Sequence, residues 1–340
     1  MPQLPKPYYQ DESVAIYHAG CRDILAVLPS GNYQLFCPDG LDFGSVPYLK
    51  AHLQPKIVTS LNDIVPSQTI LFSWSYSWQD IGWFNKVPNP IVVGGKHAEL
   101  LAIHNKLPYF PHVKYWTQRL DAIEWPLGTH IIPDYESFMP VNRYKEWLMV
   151  HSGEGCYWRQ CTFCNVDYPV PYIEFEPDWV AKAILEANKY GKIAGLSGET
   201  HTVPWLEELE SYLPEGRRYD TYARADQTGW NRLSKAHKIF IGLEYLSDSV
   251  LQRVRKGVTA KQIIETICEI QALGISVEST VIIDLWQTAD EREEHHQNTM
   301  NLLRRTRRAG LRAGTFTLME TQYTPINKNH YIIMDGEVIR

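Results

Sequence analysis

Three of the six cysteines in this 340-residue chain fall within nine residues, in the stretch HSGEGCYWRQCTFCN at 151–165. Cys156, Cys161 and Cys164 follow the spacing C-x4-C-x2-C. In a chain without a secretory signal, clustered thiols favour a metal over disulfides. A structural zinc site is closed by four ligands, and no fourth cysteine lies nearby; His151 could serve only if the chain reversed sharply. An iron–sulfur cluster held by three thiolates keeps one iron open to an exogenous ligand, which is a catalytic arrangement. On spacing alone, three readings stand: an iron–sulfur cluster, zinc, and incidental cysteines. Cys21, Cys37 and Cys268 are scattered and show no pairing with the cluster.

Such a loop needs a scaffold, and the surrounding pattern supplies one. Apolar runs at 148–151, 193–196, 219–224, 238–243, 277–283 and 315–319 read as strands, with helical patterns between them. EPDWVAKAILEANKYG has Pro177 in its first turn and Gly191 at its end. TAKQIIETICEIQALG opens with a capping box, Thr259 with Gln262, and stops at Gly274. A third helix opens on Thr288 with Glu291 and carries its acids early and its arginines late, matching the helix dipole. Six alternating strands and helices imply parallel βαβ units. Six are too few for a closed eight-stranded barrel and suit a partial, open (βα)6 TIM-type barrel, with chemistry at the C-terminal strand ends. The cysteine loop follows the first of these strands.

Before a Pro-rich break at 125–140, short apolar runs at 14–18, 33–37, 57–60, 69–74 and 91–93 suggest an open Rossmann-like α/β sheet. PIVVGGKHAELLAIHNK reads as a buried strand, a Gly-Gly turn and a helix. The chain is therefore expected to be α/β, with an N-terminal domain over 1–140, a barrel over 141–325 and a short tail over 326–340. The tail, HYIIMDGEVIR, reads as a hairpin around an Asp-Gly turn.

GCYWRQCTFCN resembles the cluster loop of radical S-adenosylmethionine (SAM) enzymes, whose commonest pattern is C-x3-C-x2-C with an aromatic residue before the last cysteine, here Phe163. The chain has one extra residue between its first two cysteines. GLSGET at 195–200 is similar to the family's Gly-Gly-Glu motif, with Ser197 in place of the first glycine, followed by Gly198 and Glu199. YARAD places Arg224 at the third strand end, and IGLEYLSDSVLQRVRKG resembles the fourth-strand segment with Glu244. Around VESTVIIDLWQTADE the family often has Gly-x-Pro-x-x-Thr, whereas this chain has Asp284, Trp286 and Thr288. The resemblance spans about 145–325. It implies a 4Fe–4S cluster on Cys156, Cys161 and Cys164. It implies SAM held by Phe163, Ser197, Gly198, Glu199, Arg224 and Glu244, and reductive cleavage of SAM to methionine and a 5′-deoxyadenosyl radical. It also implies a one-electron reductant such as flavodoxin or ferredoxin.

Residues 57–155 resemble the cobalamin-binding subclass, through PIVVGGKHAEL, LDAIEWPLGTH and IIPDY. Gly94, Gly95 and His97 are the matching positions. WPLGTH lacks that subclass's acidic loop, so two outcomes stay open: cobalamin binding, with methylation of an unactivated carbon, or a cofactor-free domain serving substrate recognition. The bland alternatives are ordinary ones: a core carboxylate in an ion pair for Glu244, a structural ion pair for Arg224, a helix-start acid for Glu199, and a tight turn for Gly94–Gly95. His295 and His296 lie in an exposed-looking helix and are discounted as ligands.

Net charge of −6 and a pI near 6.1 argue against a generally basic nucleic-acid binder. No apolar run approaches the ~18 residues of a membrane span, and the N-terminus lacks a basic-then-apolar signal pattern. The expected location is cytoplasmic, with no membrane partner. The short tail offers little to close the barrel, so a large substrate, a partner protein or a second copy in a homo-oligomer is the expected cover.

Overall fold

A computed structural model describes residues 9–10, 15–16, 33–38, 50–51, 54–74, 79–103, 106–115, 132–139, 147–164, 172–190, 193–216, 218–282, 287–307, 314–321, 332–334 and 337–339. The chain divides into two compact units: residues 1–146 with 327–340, and residues 147–326.

The first unit holds five strands: β1 (Tyr33–Phe36), β2 (Lys56–Val58), β3 (Thr69–Ser73), β4 (Ile91–Gly94) and β5 (Val113–Tyr115). All pairings are parallel, and the order is β2-β1-β3-β4-β5. This is the flavodoxin-like doubly wound order, whose switch point lies between β1 and β3. Strands buried on both faces read as continuous apolar runs, as TILF and IVV do. Phe36, Ile70, Phe72, Trp83, Phe84, Ile91 and Leu101 form the core, with Met334 of the tail packed against it. Trp83 meets Phe36, Phe72 and Phe84 edge to face at centroid distances of 4.5, 5.3 and 4.6 Å. Gly94 ends β4, and Gly95 turns the chain into helix α1 (Lys96–Ile103). Gly95 has φ +101°, and a Cβ there would stand 2.8 Å from the Trp74 carbonyl carbon. A glycine is therefore required both by conformation and by the close approach of β3.

Two expectations for this unit are corrected. Of the run at 14–18 the described residues Ala15–Ile16 do form a strand, but it pairs antiparallel with Tyr9–Gln10 in a separate two-stranded ribbon and not in the five-stranded sheet. The fifth strand is instead β5, a three-residue segment with too little apolar pattern to announce itself. The tail forms a hairpin, with Met334 opposite Glu337, and Asp335 and Gly336 themselves lie outside the described residues. LDAIEWPLGTH, Asp284 and Trp286 also lie outside them.

The second unit holds β6 (Trp147–Val150), β7 (Ile193–Leu196), β8 (Tyr219–Ala223), β9 (Ala236–Ile241), β10 (Ser276–Ile282) and β11 (Phe316–Thr321). They form one parallel sheet in sequential order, the arrangement of an open (βα)6 barrel. Helices α2 (Pro177–Asn188) and α3 (Val203–Tyr212) follow β6 and β7, a 3-10 turn at Trp230–Arg232 follows β8, α4 (Asp248–Arg253) and α5 (Ala260–Ala272) both follow β9, and α6 (Ala289–Arg307) follows β10. Thr221, Ile239, Ile241, Val277 and Val281 are buried on one face of β8, β9 and β10, while Tyr222, Lys238, Phe240 and Glu278 share the other face. On that face Tyr222 stacks on Phe240 at 4.6 Å, and Lys238 pairs with Glu278 at 2.8 Å.

The helix starts behave as their sequences require. At α5 the Thr259 side chain accepts from the Gln262 N–H while Gln262 accepts from the Thr259 N–H. At α6 the Glu291 N–H donates to Thr288 Oγ1 at 3.2 Å, and the Thr288 N–H donates to Glu291 at 2.8 Å. Pro177 stands in the first turn of α2, where its missing N–H leaves no hydrogen bond unmade. Parallel strands bring every βα loop to one edge of the sheet, so the residues after β6, β7, β8 and β9 must gather there.

Candidate functional site

At that edge the cysteine loop is anchored from several sides. The Cys164 N–H donates to the Cys161 carbonyl at 3.2 Å, a tight turn that draws these two residues together. The Thr162 N–H donates to the Val254 carbonyl at 3.0 Å, and the Trp158 indole N–H to the Arg255 carbonyl at 2.7 Å. Upstream, the Gly155 N–H donates to Glu199 Oε2 at 2.9 Å, tying the loop to the segment after β7. Cys156, Cys161 and Cys164 are each half-buried. Among the described residues no group of three His, Cys, Asp or Glu side chains stands close enough to hold a metal ion.

Ser197 and Gly198 continue directly from β7. The Ser197 N–H donates to the Val150 carbonyl at 2.9 Å, and the Gly198 N–H reaches Ser152 Oγ at 3.4 Å. Beneath them lies a residue the motif reading passed over, His201. It is fully buried and stacked on Trp205 at 4.8 Å. Its Nε2 lies 2.9 Å from Ser152 Oγ and its Nδ1 2.9 Å from Thr221 Oγ1. The imidazole ring stands 2.6 Å from where a Cβ on Gly198 would be. Burial pulls the His201 pKa down to about 4, with the Glu199 carboxylate opposing. The ring is therefore neutral at pH 7, one nitrogen donating and the other accepting.

Arg224 ends β8 almost fully buried. It donates from Nη2 to the Lys256 carbonyl at 2.7 Å and from Nε to Asp226 at 3.3 Å, and its guanidinium lies over the Tyr157 and Trp158 rings at 5.7 and 4.9 Å. Tyr157 donates to the same Asp226 at 2.6 Å. Burial pushes the Tyr157 phenol well above its usual range, and the Asp226 carboxylate adds to this.

Glu244 follows β9 with φ +59°, a left-handed conformation uncommon for a side-chain-bearing residue. Its backbone is held on both sides by β10: its N–H donates to the Thr280 carbonyl at 2.9 Å, and its carbonyl accepts from the Ile282 N–H at 2.8 Å. The side chain accepts from Lys256 Nζ at 2.7 Å inside the protein. Lys256 also lies 5.8 Å from the centre of the Phe163 ring. Burial raises the Cys161 thiol pKa, and Lys256 and Arg224 oppose that rise. Cys156, Cys161, Phe163, Glu199, Arg224 and Glu244 are thus linked through one neighbourhood at the C-terminal edge. Lys256, which closes the IGLEYLSDSVLQRVRKG segment, joins this neighbourhood by its pairing with Glu244, a contact the motif itself does not state.

His295 differs from the expectation of an exposed residue. It is half-buried, stacks on Tyr245 at 4.0 Å and accepts the Leu246 N–H at 3.0 Å, which fixes α6 to the segment after β9. Burial lowers its pKa to about 4, and His296 lowers it further. His296 itself is exposed. Gly94, Gly95 and His97 lie in the first unit, at the end of β4 and the start of α1. His97 is buried, its ring 4.9 Å from that of Trp74, and its N–H donates to the Trp74 carbonyl at 3.0 Å.

No protein-family model matches the chain. A curated relative, the 4′-phospho-dehydrooxetanocin synthase of Priestia megaterium, is 24% identical in an alignment 182 positions long that covers 43% of this chain and 24% of that protein. Among solved structures, the cobalamin-dependent S-adenosylmethionine radical enzyme OxsB with aqua-cobalamin bound matches with a TM-score of 0.59 and 18% identity, over 86% of this chain and 55% of that one. OxsB with both aqua-cobalamin and S-adenosylmethionine bound gives the same values. This chain therefore spans about half the length of OxsB and about a quarter of the curated relative. The likeness is one of fold: an open α/β sheet and a partial (βα)6 barrel, as in a cobalamin-dependent radical SAM enzyme.

Proposed function

We propose that this chain is a radical SAM enzyme, cleaving S-adenosylmethionine reductively at a 4Fe–4S cluster to begin radical chemistry. One observation carries the reading: a three-thiol loop is fastened to the C-terminal edge of an open six-stranded parallel barrel, beside Arg224, Glu199 and Glu244. The donor chemistry fits such a cluster, since three soft thiolate ligands stand on one loop beside the cations of Arg224 and Lys256.

In this reading Cys156, Cys161 and Cys164 hold the cluster. When bound, it supplies the electron that splits the carbon–sulfur bond of the SAM sulfonium. Arg224 offers the SAM carboxylate a charge-assisted partner. Glu199, whose Oε2 accepts from the Gly155 N–H, offers a carboxylate to the SAM ammonium. Ser197 and Gly198 lend backbone groups, Phe163 an apolar wall, and Glu244 a carboxylate whose charge Lys256 balances. The electron comes from an external one-electron donor such as flavodoxin or ferredoxin. Residues 1–140 serve cobalamin binding, with Gly94, Gly95 and His97 at the loop, and residues 141–325 serve catalysis. The doubly wound sheet order and the likeness to OxsB favour cobalamin-dependent methylation of an unactivated carbon over cobalamin-independent hydrogen abstraction. The substrate is proposed to be large or presented by a partner, and the enzyme to work in the cytoplasm.

The metal content tests the cluster assignment. Anaerobically loaded wild type is expected to be brown with about four irons per chain, and Cys161→Ala to be colourless. One zinc per colourless wild-type chain would overturn the reading in favour of a non-catalytic metal module.

A further inference from the structure

The cysteine loop carries one residue more between Cys156 and Cys161 than the commonest pattern of the enzymes it resembles. Between those two cysteines Arg159 is the residue with a left-handed backbone. Arg159 is exposed and has φ +52°, a left-handed turn in a residue with a Cβ. Next to it Trp158 is half-buried and held on three sides. The indole N–H donates to the Arg255 carbonyl at 2.7 Å. The Arg224 guanidinium lies 4.9 Å from its ring. The ring also fills the space beside Gly257, where a Cβ would overlap the indole.

The surface that receives Trp158 is a strip of backbone. Three consecutive carbonyls after α4 accept hydrogen bonds: Val254 from the Thr162 N–H at 3.0 Å, Arg255 from Trp158, and Lys256 from Arg224 Nη2 at 2.7 Å. Arg255 and Gly257 are both left-handed, with φ +55° and +76°. That irregular backbone ends α4 and exposes carbonyls that a continuing helix would have used internally. Two donors on the cysteine loop and one on Arg224 satisfy them. The same strip thus fixes both the thiols and the guanidinium proposed for the SAM carboxylate.

We propose that Trp158 is the positioning residue that seats the lengthened cysteine loop on the carbonyls of residues 254–256, with Gly257 kept small to admit its ring. The inference rests on the radical SAM reading, because a seated loop matters for catalysis only if it carries the cluster. Trp158 touches neither iron nor SAM in this account; it acts through the loop and through Arg224.

The test uses the full chain as wild type, Trp158→Phe, Trp158→Ala and Gly257→Ala. In the metal-free protein, hydrogen exchange across 156–164 is expected to rise roughly tenfold in Trp158→Ala and Gly257→Ala, as a docking hydrogen bond and its packing are lost. Exchange in the helix at 260–272 stays unchanged, which shows that the variants are folded. Trp158→Phe keeps a ring and loses the N–H, so it falls between. In anaerobically loaded protein the iron content of Trp158→Ala matches the wild type, since all three thiols remain. Its reduced-cluster paramagnetic resonance signal, however, requires roughly tenfold more SAM to shift. Wild-type exchange across 156–164 in Trp158→Ala, or a wild-type spectral response to SAM, overturns the proposal. Failure of the wild type to load iron sinks the radical SAM reading instead, and the metal-free exchange still decides whether Trp158 seats the loop.

Discussion

His201 gives the account a pH dependence whose size can be worked out. Its ring is fully buried under the Gly198–Glu199 turn, hydrogen-bonded to Ser152 and Thr221. Burial takes its pKa from an ordinary 6.5 to about 4. A histidine whose folded pKa is depressed binds protons more readily when unfolded. Its neutral form therefore favours the fold fully above about pH 6.5, and that contribution fades as pH falls towards 4. From these two values, roughly 2 kcal/mol is lost by pH 5 and about 3 kcal/mol well below pH 4. His201→Gln cannot titrate. It is expected to be less stable than the wild type at pH 7.5, since it replaces a stacked ring and two hydrogen bonds, but its deficit should shrink by roughly 2 kcal/mol at pH 5. Urea unfolding of both proteins at the two pH values, followed by circular dichroism, measures the difference and cancels every other titrating group. Parallel curves, with the same deficit at both pH values, would refute the claim that His201 is held neutral beneath the motif.

Two further outcomes are expected. Glu244 and Lys256 form a buried ion pair, so Lys256→Met strands a carboxylate and is expected to destabilise the fold by about 3–5 kcal/mol. Adding Glu244→Gln should recover most of that loss in thermal unfolding, and a double variant no better than the single would mean the two side chains are not coupled. In the first unit, Gly95→Ala must place a Cβ against the Trp74 backbone at a positive φ, so it is expected to lower stability by roughly 1–3 kcal/mol. It should also reduce cobalamin retained after loading, as read from visible absorption; unchanged retention would separate the Gly94–Gly95 turn from the cofactor.

The parts of the fold legible in the sequence are those with local chemistry. Thr259 and Thr288 each stand three residues before a side chain that completes their cap, and both helices begin there. The six barrel strands were legible because each is a short apolar run set between helical patterns. Segments without such a signature were misread. Val113–Tyr115 is too short and too polar to register, and Ala15–Ile16, within the run at 14–18, forms a strand that pairs with Tyr9–Gln10 and not with the five-stranded sheet. The site shows the same division. The cysteines, Ser197–Glu199, Arg224 and Glu244 could be picked out as motif residues, and they reach one edge because parallel strands deliver them there. Their contacts could not: the pairing of Lys256 with Glu244, the Ser152 and Thr221 hydrogen bonds that hold His201 beneath Gly198, and the Arg255 carbonyl that receives Trp158 are set by the folded chain and not by any motif. His295 was read as a solvated helix residue because its own neighbours are charged, whereas Tyr245 and Leu246 decide its environment.

The central claim is that the loop of Cys156, Cys161 and Cys164 supports reductive cleavage of SAM. Wild type loaded anaerobically with iron and sulfide, then given dithionite and SAM, should form 5′-deoxyadenosine and methionine in equal amounts, detectable by mass spectrometry, while Cys161→Ala forms neither. Iron-loaded wild type that leaves SAM intact under reduction, or Cys161→Ala that still cleaves it, would contradict the account.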